Sequence, residues 1–329
     1  MIGVTGANGL LGSFIVRKLI DEGSKFVAFK RKDSDVSLLD DVSGKVTWRE
    51  IDLLDPVTMD DAVAGLTSII HSAALVSFDP RLAREIAKIN TDGTRNVVNA
   101  CLANGIDRLV YISSVAALGR TKGQTMVDEN NKWVESAQHT AYATSKYLAE
   151  LEVYRGQEEG LTTVILNPSV ILAPADWQKS SAKLFKYVWD ERLFYIDGSM
   201  NYVDVRDVAA AATMALKSGM ENERYIVNGG TVSFKEFFDG VATRFGKKPP
   251  MIKLNRIILE IVAELEMLRA RLRRSEPLVT PETARLAGTF FQYQNSKIKN
   301  AFHLEFQPLG CTLDWCCRYY LGKYGLKKE

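Results

Sequence analysis

Apolar and polar positions along the first two-thirds of the chain switch between two periods. Short apolar or alternating runs read as strands at residues 2–4, 25–29, 46–51, 68–71, 108–113 and 162–166. Between them the spacing becomes helical. Leu10, Leu11, Phe14, Ile15, Leu19 and Ile20 share one helical face, and Asp21-Glu22-Gly23 closes it. Longer helical patterns cover residues 81–103 and 141–159. Strand and helix in regular turn predict an α/β fold, a Rossmann-type doubly wound parallel sheet with helices on both faces. Ligands bind such sheets at the carboxyl ends of the strands.

After about residue 168 the alternation loosens. Pro168, Pro174 and the aromatic-rich stretch from Trp177 to Tyr195 suggest a smaller mixed α/β lobe that covers the site. Further strands are expected at 201–205 and 224–227, and helices at 206–218 and 234–245. Pro249-Pro250 marks a joint. The division expected is a dinucleotide-binding domain over 1–168, with part of 196–230 returning to it, and a substrate lobe over 169–329. Residues 254–274 form a long helical pattern ending in Arg269, Arg271, Arg273 and Arg274. A membrane-surface helix is one reading. Glu260, Glu264 and Glu266 favour an ordinary lid or packing helix instead. No internal repeat or low-complexity segment interrupts the chain.

Composition narrows the class. The chain has 329 residues, 46% of them hydrophobic, enough for one large domain or a main domain with a smaller partner. A net charge of +2 implies no nucleic-acid partner. A strand beginning at residue 2 predicts no secretory leader, and no apolar run is long enough to predict a membrane span. The four cysteines, Cys101, Cys311, Cys316 and Cys317, show neither a paired framework nor metal-ligand spacing, so a reduced, cytoplasmic setting is expected.

Two features are candidates for chemistry, each weak alone and stronger in context. Thr5-Gly-Ala-Asn-Gly-Leu-Leu-Gly12 follows the first strand and opens a helix. Gly6 lets the backbone turn sharply, Gly9 lets it approach a pyrophosphate, and Gly12 lets the helix pack closely on the sheet. The helix then points its free N–H groups at phosphates. Tyr142 and Lys146 stand four apart, so a helix puts them on one face, about 400° around. A nearby ammonium favours the phenolate, so the tyrosine pKa is expected to fall towards working pH. A third feature supports these two. Residues 109–112 form an apolar run ending in Ser113-Ser114, and a hydroxyl there can hold a reacting oxygen. A plain reading of that pair is a strand cap.

Thr5–Gly12, Ser114, Tyr142 and Lys146, in that order, resemble the extended short-chain dehydrogenase/reductase family. Asp52-Leu53, His71-Ser-Ala-Ala74, Asn90-Thr-Asp-Gly-Thr-Arg-Asn96 and Tyr202-Val-Asp-Val-Arg-Asp-Val208 add to the likeness. The resemblance implies that Ser114 is the catalytic hydroxyl, Tyr142 the general acid/base, and Lys146 the residue supporting the tyrosine and the nicotinamide ribose. It places Gly6, Asn8, Gly9, Leu10, Leu11 and Gly12 at the pyrophosphate. Asp52 and Leu53 then fall at the adenine, Ala73 and Ala74 beside the cofactor, and Pro168 and Ser169 at the nicotinamide amide. Asn90 and Thr94 are expected to be structural. His71 is expected to be a packed strand-end residue. With only His139 and His303 elsewhere, no metal site is expected. The resemblance also implies a homodimer through the helix bearing Tyr142 and its neighbour.

The end of the second strand bears on the cofactor. Phe29-Lys30-Arg31-Lys32 has no acid before Asp33. A carboxylate there would suit a free ribose 2′-hydroxyl, whereas Arg31, with Lys32 beside it, suits a 2′-phosphate. NADP(H) is therefore expected, with NAD(H) the alternative. Val115-Ala116 stands where related sugar-nucleotide dehydratases carry Asp-Glu, which argues against dehydration. Asn167-Pro168 resembles dihydroflavonol 4-reductase and 3β-hydroxysteroid dehydrogenase relatives, although Ala173 departs from their glycine. Trp177, Phe185, Tyr187, Trp189, Phe194 and Tyr195 are candidates for an apolar pocket or for core. The expected activity is an NADP(H)-dependent reductase or dehydrogenase acting on a small carbonyl or alcohol. A sugar-nucleotide epimerase is the alternative. A non-catalytic NADP(H)-binding sensor is the second, disfavoured by the presence of Tyr142 and Lys146.

Overall fold

The expected alternation of strand and helix is present in the computed structural model, which describes residues 1–120, 123–134, 140–177, 181–273 and 288–325. His139 and Arg274 lie outside the described residues, as do residues 178–180 of the aromatic-rich stretch. The first half runs β1 (Ile2–Thr5), α1 (Leu10–Asp21), β2 (Phe26–Lys30), β3 (Trp48–Glu50), α2 (Pro56–Val63) and β4 (Ser68–His71). It continues with α3 (Ala83–Ala87), α4 (Gly93–Ala103), β5 (Arg108–Ile112), β6 (Met126–Val127) and α5 (Ala141–Glu158). Then follow β7 (Thr162–Pro168), β8 (Val170–Leu172), α6 (Ala182–Trp189), β9 (Phe194–Ile196), β10 (Ser199–Asp204) and α7 (Val205–Lys217). The remainder is β11 (Glu223–Val227), β12 (Gly230–Ser233), α8 (Phe234–Phe245), β13 (Ile252–Leu254), α9 (Arg256–Arg273), β14 (Gln292–Tyr293), α10 (Ser296–Phe302) and α11 (Leu309–Tyr324).

Seven parallel strands form the main sheet in the order β11-β7-β5-β4-β1-β2-β3. Successive side chains on a strand point to opposite faces, and both faces here are apolar. On β5, Leu109 and Tyr111 join one buried cluster with α2, α4 and α5, while Val110 and Ile112 join the other with α1 and α7. Val27 and Ala28 on β2 divide in the same way. The strand order reverses between β1 and β4, which opens a crevice at their carboxyl ends. A three-stranded sheet, β12-β10-β8, carries the second lobe with α6, α8 and α11.

Several boundaries differ from the sequence pattern. The strand expected at 25–29 lies one residue later, and that at 46–51 keeps only three residues. Strand β7 runs on to Pro168 because β11 continues to pair with it, Asn167 opposite Ile226 and Pro168 opposite Val227. The helix expected over 81–103 is present but irregular. A 3₁₀ turn at Pro80–Leu82 leads into it and a π turn at Lys88–Asp92 bulges within it. The π turn turns Asn90 inward, where its amide accepts from Leu75 N at 2.7 Å and donates to Leu75 O and Ser145 Oγ, each at 3.0 Å. One inserted residue is thereby offset by three hydrogen bonds, one buried and two partly buried.

Candidate active site

The glycine turn joins β1 to α1. Gly6 has φ +65, a conformation that L side chains rarely adopt, and a Cβ there would lie 2.7 Å from the Ala73 backbone. A Cβ on Gly12 would lie 1.9 Å from Gly6 O, whereas one on Gly9 would lie 3.1 Å from the same oxygen. Gly9 caps α1 and, lacking a side chain, leaves the first N–H groups of the helix without a side-chain acceptor. Asn8 Nδ2 donates to Asp35 O at 3.0 Å, tying the turn to the loop after β2. Leu10 and Leu11 face protein: Leu10 packs on the core of the second lobe and Leu11 on that of the main sheet.

Around the turn, Asp52 forms a local turn by accepting from Leu54 N at 2.9 Å, and Leu53 O accepts from Asn96 Nδ2 at 2.8 Å. Ala73 N donates to Thr5 Oγ1 at 3.3 Å, and Ala74 is exposed. Arg31 and Lys32 are exposed at the end of β2, and neither side chain makes a hydrogen bond or ion pair among the described residues. Ser169 is buried, and its hydroxyl has no partner. A cradle that any Cβ would fill, free helix N–H groups and an unpartnered buried hydroxyl fit a dinucleotide.

The second cluster lies where β5 meets α5. Thr140 caps α5 by accepting from Ala143 N at 3.0 Å, which sets the first helical turn and places Tyr142 in it. The Ser114 side chain stands close enough to the Tyr142 phenol to favour its ionised form, and Ser114 Oγ accepts from Ala116 N at 3.1 Å. The capping role expected of that serine and its place beside the tyrosine therefore coexist. One turn further on, Lys146 is 1% exposed. Its Nζ donates to Ile112 O at 2.8 Å and stands 4.4 Å above the Tyr111 ring.

The expected fall in the Tyr142 pKa is not what this arrangement produces. Burial raises the phenol above its ordinary value, and the nearby Ser114 side chain works in the opposite direction. Burial also brings Lys146 down to about 7, with Glu150 pulling the other way. The physical reason is that Lys146 gives its ammonium to a backbone carbonyl and an aromatic face, and desolvation of both groups outweighs their attraction. His71 is held neutral, its pKa pushed down to about 3 by burial and then by Lys146. Its ring sits between Thr5 Oγ1 at 2.6 Å and Thr94 Oγ1 at 3.1 Å.

Other expectations divide. Trp177 stacks on Tyr320 at 4.0 Å, Trp189 meets Phe245 edge-on at 5.1 Å, and Tyr187 stacks on Phe238 at 5.6 Å. With Phe185 fully buried, these aromatics belong to the lobe's core, and the pocket reading fails for them. The aromatic beside the phenol is Phe78, 45% exposed, with its ring 5.8 Å from that of Tyr142. Helix α9 buries Leu259 and Ala263 against Ile196 and Leu254. No helix among the described residues is long and apolar enough to cross a membrane.

Residues 2–228 match the NAD dependent epimerase/dehydratase family. The chain belongs to that family. As an epimerase/dehydratase-family member it is an enzyme of the extended short-chain dehydrogenase/reductase type, the likeness its motifs had suggested. It is 29% identical over 268 residues to sterol demethylase protein B of Methylococcus capsulatus, covering 80% of each chain. It is 28% identical over 239 residues to cinnamoyl-CoA reductase 1 of Petunia hybrida, covering 68% of this chain and 71% of that one. Among solved structures, gox2253 superposes with a TM-score of 0.83 at 31% identity over 99% of both chains.

Sequence reasoning missed two neighbours of the site. Phe78 carries no motif signal beyond its place a few residues after Ala73-Ala74. Glu150 was legible in principle, since it repeats the four-residue step from Lys146.

Proposed function

We propose that this protein is an NADP(H)-dependent carbonyl reductase or alcohol dehydrogenase working through Ser114, Tyr142 and Lys146. The observation that carries the reading is the placement of Tyr142 and buried Lys146 one turn apart on α5, beside Ser114, at the same sheet edge as the glycine cradle. Gly6, Asn8, Gly9, Leu10, Leu11 and Gly12 would hold the pyrophosphate, Asp52 and Leu53 the adenine side, and Ala73, Ala74, Pro168 and Ser169 the nicotinamide side. Arg31 and Lys32, both uncommitted, would take a 2′-phosphate. Bound there, the nicotinamide supplies or accepts the hydride.

The chain's own residues handle the proton and the developing charge. In the reducing direction Tyr142 delivers its proton to the carbonyl oxygen as that oxygen gains charge. Ser114 donates a hydrogen bond to the same oxygen. Lys146 stabilises the tyrosinate left behind and bonds the ribose. Phe78, 45% exposed and with its ring 5.8 Å from that of Tyr142, gives the approach to Tyr142 an apolar wall. An aromatic or alicyclic carbonyl suits that wall, in keeping with relatives named for cinnamoyl-CoA and sterol chemistry. The test is NADPH consumption over a panel of aromatic, steroid-like and sugar carbonyls by wild type and Tyr142→Phe. The variant keeps NADPH binding and loses at least ~10²-fold in kcat. Near-normal turnover in it removes the assignment.

A further inference from the structure

Beneath the Ser114–Tyr142–Lys146 cluster lies a second buried charge. Glu150, on α5 one turn beyond Lys146, is 1% exposed and has both carboxylate oxygens engaged. Oε1 accepts from Ser113 Oγ at 2.5 Å and from Asn167 Nδ2 at 2.6 Å. Oε2 accepts from Arg224 Nη1 at 3.2 Å. Asn167 Nδ2 also donates to Ser114 O at 2.9 Å. A carboxylate buried to this degree is costly unless it is paired and hydrogen-bonded. This one gathers donors from β5, β7 and β11 around the residues that the proposed reaction uses.

We propose that the Glu150–Arg224 pair is the positioning device of this site: its carboxylate sets a buried counter-charge one turn from Lys146 and, through Asn167, fixes the backbone of Ser114. The inference rests on the proposed roles of Lys146 and Ser114. Two opposing influences act on the lysine. Burial favours its neutral amine, and Glu150 restores the ammonium. The other titratable groups facing Lys146 are Tyr142 on α5, Tyr111 on β5 and His71 on β4, and His71 is held neutral. Glu150 itself faces Arg224 on β11 and Tyr154 on α5, whose phenol it helps to raise. Arg224 also donates to Glu129 O, so its guanidinium is anchored on both sides. With Arg224 held there, Glu150 acts on Lys146 as a partly neutralised anion rather than a full one.

This arrangement predicts opposite effects from its two members. Glu150→Gln keeps the shape and removes the negative charge, so Lys146 loses its proton more easily. Arg224→Met removes the neutralising partner, so Lys146 holds its proton more tightly. A purely structural role for the pair predicts loss of folded protein in both variants and no titration shift of opposite sign.

The test follows the Lys146 titration by NMR in protein carrying ¹³C-labelled lysine, assigned by Lys146→Arg, beside the pH profile of kcat with NADPH. The expected result is a Lys146 midpoint at least about one pH unit lower in Glu150→Gln and higher in Arg224→Met. The alkaline limb of kcat moves the same way in each. The double variant Glu150→Gln/Arg224→Met leaves neither Glu150 nor Arg224 as a buried charge without its partner and keeps the test open if Glu150→Gln fails to fold; it too is expected to titrate below wild type. Midpoints that stay put, or move in one direction in both single variants, overturn the proposal. Opposite midpoint shifts with an unmoved kcat profile support the charge coupling and overturn the role of Lys146 in turnover.

Discussion

The glycine turn and the Ser114–Tyr142–Lys146 cluster occupy one edge of one sheet but are held together by opposite means. The turn exists because side chains are missing. Its geometry comes from contacts between backbone and backbone, such as Gly9 N donating to Gly6 O at 2.9 Å. The cluster exists because charged and polar side chains have been buried and most of their polar atoms then paired, Asn167 Oδ1 being an exception. Lys146, Glu150, Asn167 and Ser113 are all nearly inaccessible. The turn should therefore be sensitive to volume and indifferent to pH. The cluster should be sensitive to charge.

The largest effect expected on this contrast is steric. Gly12→Ala places a methyl 1.9 Å from Gly6 O, against backbone that cannot move aside without opening the turn. The cost should exceed the ~1–3 kcal/mol usual for overpacking, with NADPH affinity falling by more than ~10²-fold. Gly9→Ala, at 3.1 Å from the same oxygen, should cost clearly less. Fluorescence titration with NADPH orders the two variants. Equal effects would show that the turn is not held by close backbone approach.

A charge effect should follow on the other side. His71 is neutral in the fold because its pKa is pushed down to about 3, whereas in the unfolded chain it takes up a proton near its ordinary value of 6.5. A depressed folded pKa means that its contribution is complete above about 6.5 and is lost as pH falls from there towards 3. The loss amounts to on the order of 4 kcal/mol at the acid end of that window. Thermal unfolding followed from pH 7 to pH 4 should give a steep fall in Tm for wild type, which His71→Gln flattens. An unchanged slope would mean that the buried imidazole is not what acid attacks.

The smallest effect belongs to the rim of the turn. Arg31→Ser removes a guanidinium with no partner among the described residues, so stability should hardly change. The ratio of NADPH to NADH affinity should drop by roughly 10-fold, the worth of one charged hydrogen bond. Competitive titration of the two cofactors reads it directly. An unaltered ratio would place the 2′-phosphate elsewhere.

How much of this was legible beforehand follows the same division. The turn was readable because all its determinants lie within eight consecutive residues and act through the backbone. Tyr142 and Lys146 were readable because a helix fixes what lies one turn apart. The π turn within the helix at 88–92 was not, since apolar spacing around it continues. It arises because Asn90 makes three hydrogen bonds to residues 75 and 145, which no local pattern announces. The lobe's aromatics stayed open between pocket and core for a related reason. A stripe of Trp, Tyr and Phe looks the same whether it faces a ligand or, as here, Tyr320, Phe238 and Phe245.

The sequence by itself determined the sheet, the phosphate turn and the helical pairing of tyrosine with lysine, because each follows from spacing along a few residues. Tertiary structure alone decided the electrostatics. It buried Lys146 against the Ile112 carbonyl, brought Glu150 and Arg224 together across 74 residues and raised the Tyr142 phenol rather than lowering it. Burial and the distance between charges set a pKa, and both are properties of the packed molecule.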